Sequence, residues 1–412
     1  MDKAIQNGGT SMNVTITNSV KYIGVDDTTL DLFESQYVIP DGVSYNSYVI
    51  LDEKIAVMDT VDKCGIDEWE RKLLGELKGR NVDYLVIQHL EPDHTGGIVR
   101  ILELFSEVTL VGNQKTFLFL SQFFHVDDKV KKLVVKEKDT LSLGEHTLTF
   151  YMATMVHWPE VMVTYDSLDR ILFSADGFGK FGALKKTINE EWACEARRYY
   201  FNIVGKYGVA VQALLSKVKV LDIQYICPLH GPILGDGVCA ASSDIQWGRC
   251  GLDEYLRLYD IWSSYQPESE GVLIAYASIH GNTATAAETL ADILRNKGVT
   301  KVVVSDLTRV DMAEVIEDAF RYDRMIVAAA SYDAGVVPQM REFLQRLESK
   351  NYQNRKIGIV ENGTWSPSAG RTMRAILDTM KNLEIVEPQV TIYSTMKQED
   401  EAQLEQLAEA MK

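Results

Sequence analysis

Short apolar runs broken by turn-forming residues dominate the first part of the chain. Tyr48-Val49-Ile50-Leu51 and Ile55-Ala56-Val57-Met58 flank the polar Asp52-Glu53-Lys54, which predicts a β-hairpin. Trp69, Leu73, Leu74 and Leu77 recur at helical spacing, and Tyr84-Leu85-Val86-Ile87 reads as a buried strand. Further strands are predicted over 147–151, 161–165, 171–173 and 223–226, with helices from about Gly97 and over 192–200. Strands and helices mixed in this way predict a layered α/β sandwich.

Around residues 263–271, Ser-Ser-Tyr-Gln-Pro-Glu-Ser-Glu-Gly, the chain turns polar and turn-rich, as a linker does. Beyond it the rhythm changes. Strands at 272–277, 301–305, 325–329, 356–360 and near Val390 are each followed by a helix, starting near Thr283, Met312, Pro338, Ser368 and Glu399. Five strands alternating with five helices predict a doubly wound parallel sheet. The expected domains are therefore 1–265 and 266–412.

Length and charge narrow the class. At 412 residues, a rule of about 150 residues per domain gives two or three domains. With 46% apolar and 25% charged residues the composition is that of an ordinary globular protein. The formal charge of -17 would repel a phosphate backbone, so nucleic acid is not the expected partner. No apolar run is long enough to span a bilayer. Met1 to Thr10 are polar, which argues against a signal peptide, and Met12 offers an alternative start. Five cysteines (Cys64, Cys194, Cys227, Cys239, Cys250) form no C-x-x-C pair, which suits a reducing cytoplasm and excludes an in-chain rubredoxin-type iron site.

The densest chemistry follows the strand ending at Ile87. His89, Glu91, Asp93 and His94 place four candidate metal ligands where a strand gives way to a loop. The plain alternative, a polar turn with Asp93 or Thr95 capping the next helix, leaves two histidines and a glutamate without a role. Only seven histidines occur in the chain, and two more, His157 and His230, fall in strand-to-loop positions, as does Asp176 after Leu172-Phe173-Ser174-Ala175. His125 and His146 read as structural or surface residues. Trp158 stands beside His157, either shaping a pocket or packing. Gly177-Phe178-Gly179-Lys180-Phe181-Gly182 satisfies G-x-G-x-x-G, yet no helix opens directly after it, so glycines folding the chain around a metal site fit better than a dinucleotide fingerprint.

This pattern resembles the metallo-β-lactamase signature H-x-H-x-D-H followed by distant His, Asp and His, with Glu91 in place of the second His. In that form it is similar to the flavodiiron proteins, or A-type flavoproteins. The resemblance implies a metallo-β-lactamase-like αββα sandwich followed by a flavodoxin-like five-stranded parallel sheet. It puts His89, Glu91 and His157 on one iron, Asp93, His94 and His230 on the other, and Asp176 between them. Three carboxylates with four imidazoles make a harder, more anionic site than an all-His zinc pocket, which suits iron cycling between two oxidation states.

In the second domain, Ser278-Ile279-His280-Gly281-Asn282-Thr283 follows the first strand and looks like the flavodoxin phosphate loop. Hydroxyls, amides and a helix N-terminus there can bind a phosphate monoester without a lysine. Ser331-Tyr332-Asp333-Ala334 and Asn362-Gly363-Thr364-Trp365-Ser366 follow later strands and would line an isoalloxazine ring, with Tyr332 and Trp365 able to stack on it. Trp365 could instead pack at the start of a helix.

The resemblance therefore implies an oxidoreductase carrying FMN and two iron ions that reduces O2 to water, NO to N2O, or both. Two ferrous ions and a reduced flavin together hold the four electrons that oxygen requires. It also implies a head-to-tail homodimer, or a dimer of such dimers, and an external donor such as rubredoxin. The contrasting expectation is a zinc hydrolase of the metallo-β-lactamase type with an accessory flavodoxin domain, against which Glu91 argues. A third is an electron-carrying flavoprotein with a structural metal site.

Overall fold

A computed structural model of the chain describes residues 14–187, 191–235 and 251–412. Met1 to Thr10, Met12, Cys239 and Cys250 lie outside the described residues. By contacts the chain forms two compact units, and these follow packing and not chain order. Leu32–Val38, Ala193–Lys219 and Asp253–Lys412 gather into one unit, and the other described residues form the second.

The unit carrying the first metal-ligand candidates is built on two sheets. One has seven strands, in the spatial order Val14–Thr15, Val20–Tyr22, Tyr48–Leu51, Ile55–Met58, Tyr84–Val86, Thr109–Gly112, Lys131–Val134. The other has six, in the order Thr140–Ser142, Thr147–Met152, Met162–Asp166, Ile171–Phe173, Tyr225–Cys227, Leu234–Gly235. Alternate side chains of each face the other, so Ile50, Met58, Val86 and Val111 meet Phe150, Met162, Phe173 and Cys227 in one apolar layer. The helix Ile66–Leu77 buries Trp69, Leu73 and Leu77, while Leu74 is 43% exposed: three of the four periodic positions make the buried stripe.

The other unit carries a parallel sheet in the order Val302–Asp306, Ser269–Ala277, Tyr322–Tyr332, Lys356–Asn362. Two short strands, Glu384–Ile385 and Val390–Ile392, complete it against Lys356–Asn362. The chain reverses direction of progress across the sheet beside its first strand, Ser269–Ala277. At that switch point open α/β sheets leave a ligand crevice at the carboxyl ends of the strands. None of the described helices is long and apolar enough to cross a membrane.

Candidate metal centre and flavin cavity

Register explains how residues far apart in sequence meet. The parallel strands Ile171–Phe173 and Tyr225–Cys227 pair with Phe173 opposite Cys227. Asp176 and His230 each stand three residues past those paired ends, so they leave the sheet edge level with each other. His89 likewise stands three residues past Val86, the end of a strand in the facing sheet. His157 lies midway along the turn joining Thr147–Met152 to Met162–Asp166. Asp93 and His94 sit on a single helical turn, Pro92–Thr95, where a plain loop was expected. The helix after it, Ile98–Leu104, has Gly97 as its cap, so neither Asp93 nor Thr95 caps it.

All seven candidates come together in two adjoining groups, His89-Glu91-His157-Asp176 and Asp93-His94-His230. Glu91 Oε2 lies 3.1 Å from Nε2 of both His89 and His157. Asp93 Oδ2 lies 3.3 Å from His230 Nε2, and Asp93 Oδ1 3.5 Å from His94 Nε2. Asp176 divides its oxygens: Oδ2 is 3.1 Å from His157 Nε2 and 3.6 Å from His89 Nε2, whereas Oδ1 is 3.3 Å from His94 Nε2 and 3.9 Å from His230 Nε2.

These donors fit cations. Both oxygens of Asp93, Oδ1 of Asp176 and both ring nitrogens of His94 are buried and make no hydrogen bond, an arrangement that costs free energy unless a positive charge joins it. The electrostatics agree. Burial disfavours the imidazolium of His89, yet Asp176, Glu160 and Glu91 hold its pKa well above the ordinary value. His157, also opposed by burial, is pushed up to about 9 by Asp176 and Glu91. Burial would raise Asp176, but the surrounding histidines hold it far below the usual carboxylate range. The cluster thus stabilises positive charge, supplied by protons or by metal ions in competition.

Two residues without a sequence-based role support the ligands. Glu160 accepts from His89 Nδ1 at 2.8 Å and from the backbone N–H of Leu90 at 3.0 Å. The backbone carbonyl of Ser44 accepts from His230 Nδ1 at 2.8 Å. The usable signal for Glu160 is that a metal-binding imidazole needs an acceptor for its second nitrogen. Trp158 is half-buried, its ring edge-on to His89 at 5.3 Å and stacked on Phe123 at 6.4 Å, so it walls the cluster. Gly177 to Gly182 form turns that open no helix. His125 is exposed, whereas His146 is buried, bonded to Asp166 at 2.9 Å and to Ser19 at 2.9 Å. His146, Asp166 and Asp169 also lie close enough to hold an ion, but Ser19 and Thr17 bond on to Asp169 and make this cluster a satisfied tie between hairpins.

In the other unit a cavity of about 530 Å³ opens at the carboxyl ends of the parallel strands. Ser278, His280, Asn282 and Thr283 line it, together with Ser331, Tyr332, Asp333, Ala334, Asn362, Gly363, Thr364, Trp365 and Ser366. Gly281 does not. Its φ of 90° turns the chain into the helix Asn282–Asn296, and its N–H donates to Ser278 Oγ at 3.0 Å. Asp333 and Ala334 both have positive φ and form the two-residue turn of a hairpin pairing Ser331 with Val336. Ser331 Oγ accepts from the N–H groups of Ser368 and Ala369, fastening two lining loops together. Trp365 is 82% exposed, which rules out a packing role at a helix start. Ile279 of the same loop lines it too, and Ala330, Ser368, Arg371 and Ser394 line it without having been singled out in the sequence. Ser394 follows the last strand, so the strand-end rule could have found it, whereas Arg371 on the helix Ala369–Leu377 carries no local signal.

Residues 43–231 match a family model described as ODP family beta lactamase, and residues 273–390 one described as flavodoxin domain. The fold superposes on rubredoxin oxygen:oxidoreductase from Desulfovibrio gigas with a TM-score of 0.86, at 25% identity and covering 97% of each chain. It also superposes on the flavodiiron protein from Giardia intestinalis with a TM-score of 0.84 over 98% of each chain, at 23% identity. In its two domains and its fold the chain matches the flavodiiron proteins. Such a protein is an oxidoreductase, and its flavodoxin domain implies a flavin. Among sequence relatives, the anaerobic nitric oxide reductase flavorubredoxin of Escherichia coli is 25% identical over 366 residues, which are 87% of this chain and 74% of the relative.

Proposed function

We propose that this flavodiiron chain reduces dioxygen to water, nitric oxide to nitrous oxide, or both, with FMN in the 530 Å³ cavity and two iron ions between the two ligand groups. The observation that carries the reading is Asp176, whose two carboxylate oxygens face different groups of ligands. His89, Glu91 and His157 would hold one ion, Asp93, His94 and His230 the other, and Asp176 both. Bound there, the ions and the flavin supply the one- and two-electron chemistry that the polypeptide lacks.

The chain's own residues set the conditions. Glu91, Asp93 and Asp176 bring three carboxylates to the two positions, which favours the higher oxidation state of a hard ion. Trp158 and Phe123 keep one side of the cluster apolar. In the cavity, Ser278, Asn282 and Thr283 cluster where the helix Asn282–Asn296 begins, a place suited to a phosphate. Tyr332 and Trp365, 49% and 82% exposed, offer aromatic faces to a ring.

The relatives' names support the substrates and the donor, since one speaks of rubredoxin and oxygen and another of nitric oxide. We extend the proposal to rubredoxin or a similar carrier as electron donor, to a head-to-tail homodimer, to the cytoplasm, and to domains divided at 265/266. Anaerobic reduction of the purified full chain, stoichiometric addition of each gas, and analysis of products, iron and FMN test the reading. Water or nitrous oxide with two irons and one FMN per chain supports it. Two zinc ions and no redox turnover would favour the hydrolase. Peroxide as the only product, at a rate that E91A or H157A leaves unchanged, would favour a simple carrier.

A further inference from the structure

The two ligand groups differ in what stands behind them. Behind His89 is a carboxylate: Glu160 is fully buried and accepts a hydrogen bond from His89 Nδ1 at 2.8 Å. The Leu90 N–H, at 3.0 Å, anchors the same oxygen, Oε1. The other oxygen, Oε2, is buried, and the carboxylate is held by the His89 ring and by backbone N–H groups of Leu90 and of Glu160 itself. The second group is backed differently: the buried carboxylate near His94, Asp59, is bonded to the backbone and side chain of Gln88 and not to a ring nitrogen. His230 Nδ1 donates a hydrogen bond to the neutral carbonyl of Ser44, and His94 Nδ1 is buried with no hydrogen-bond partner among the described residues.

A carboxylate acceptor on one ring nitrogen makes the other a stronger donor and fixes which nitrogen faces the metal. A backbone carbonyl orients a ring but adds no charge. The first position thus feels Glu91, its share of Asp176 and Glu160 bonded directly to a ligand ring, while the second feels Asp93, its share of Asp176 and Asp59 near His94 without such a bond.

We infer that Glu160 is a positioning residue which makes the two metal positions unequal, the His89-Glu91-His157 position being the tighter. This rests on the two-ion reading above and assigns a difference within it. No bond is made or broken by Glu160; it acts only through His89.

The test is anaerobic titration of the metal-free full chain with Fe(II) against a competing chelator, with Mössbauer spectra of the loaded forms. In the parent, two equivalents should bind with separable affinities. In E160Q one of them should weaken about 10–100-fold, the usual effect of removing such a partner, while the other stays within about twofold. One quadrupole doublet should move and the other should not, a signature that loosened packing alone would not give. E160D, which keeps the charge, should recover most of the lost affinity. An E160Q protein that binds both equivalents as the parent does, or weakens both alike, overturns the inference.

Because the amide of E160Q would bury an unpartnered N–H group, a second comparison decides if that variant does not fold. H230A should keep the tighter parental equivalent and H89A should lose it. The converse, or its loss in both, overturns the inference. A parent chain that takes up no Fe(II) overturns the diiron reading itself, whereas two equal affinities in the parent overturn only the inequality.

Discussion

Replacing Asp176 with asparagine removes one charge and one oxygen from the residue on which both ligand groups converge. Its oxygens lie 3.1–3.9 Å from four imidazoles, and Oδ1 has no hydrogen bond to fall back on. A unit charge pair at about 4 Å is worth roughly 4 kcal/mol at an effective dielectric constant near 20. At about 1.4 kcal/mol per decade this sets the scale of the loss near a thousandfold in affinity. D176N should therefore bind at most one Fe(II) per chain under conditions that give the parent two. E91Q, which alters one group only, should keep the equivalent held by Asp93, His94 and His230. Chelator competition with metal analysis reads both numbers, and circular dichroism of the metal-free proteins verifies that the fold survives. A D176N protein holding two irons with parental affinity would refute the convergence argument.

Three further outcomes follow from single residues. Ala334 has φ +54°, a conformation that disfavours a β-carbon, so A334G should raise the stability of the flavin-free protein by about 0.5–1 kcal/mol, measured by urea unfolding. Glu317 shares Arg197 with Glu268, whose bidentate contacts at 2.6 and 2.7 Å take most of the guanidinium; burial then pushes Glu317 up to about 8, against the pull of Arg197. The folded chain therefore holds a proton that the unfolded chain releases near pH 4.5, so stability should fall as pH rises from 4.5 through 8, and E317Q should flatten that slope in melting temperatures. Among the described residues, Arg371 is the one lysine or arginine lining the cavity proposed for the flavin, so R371A should weaken FMN binding about tenfold at low salt, the scale of one partly exposed ionic contact, with a smaller effect at high salt.

Much of this was legible locally. Strand ends and helix starts are marked by periodicity and by turn residues, which act over a few positions. The helix predicted near Met312 spans Met312–Arg321, and the strand predicted at 356–360 extends to Asn362. The seven ligand candidates stood out because the chain has only seven histidines, and four of them lie with Glu91, Asp93 and Asp176 in segments that leave strands. Glu160 did not stand out: a glutamate after a proline in a loop is ordinary until His89 is found against it. His146 looked like a turn residue because only its neighbours in sequence were visible, and Asp166 and Ser19 reach it from other strands.

The residue types, their order and their strand-to-loop placement belong to the sequence alone, since hydrophobic period and turn chemistry are properties of neighbouring residues. Which of those side chains meet belongs to the tertiary structure. The pairing of Phe173 with Cys227 levels Asp176 with His230, and the facing sheets bring His89 over them. The grouping of 193–219 with the flavodoxin-like unit, which lies far along the chain, is likewise a matter of contacts. Register and packing are set by nonlocal burial, and a one-residue slip in either strand would turn those ligands away without changing a single local signal.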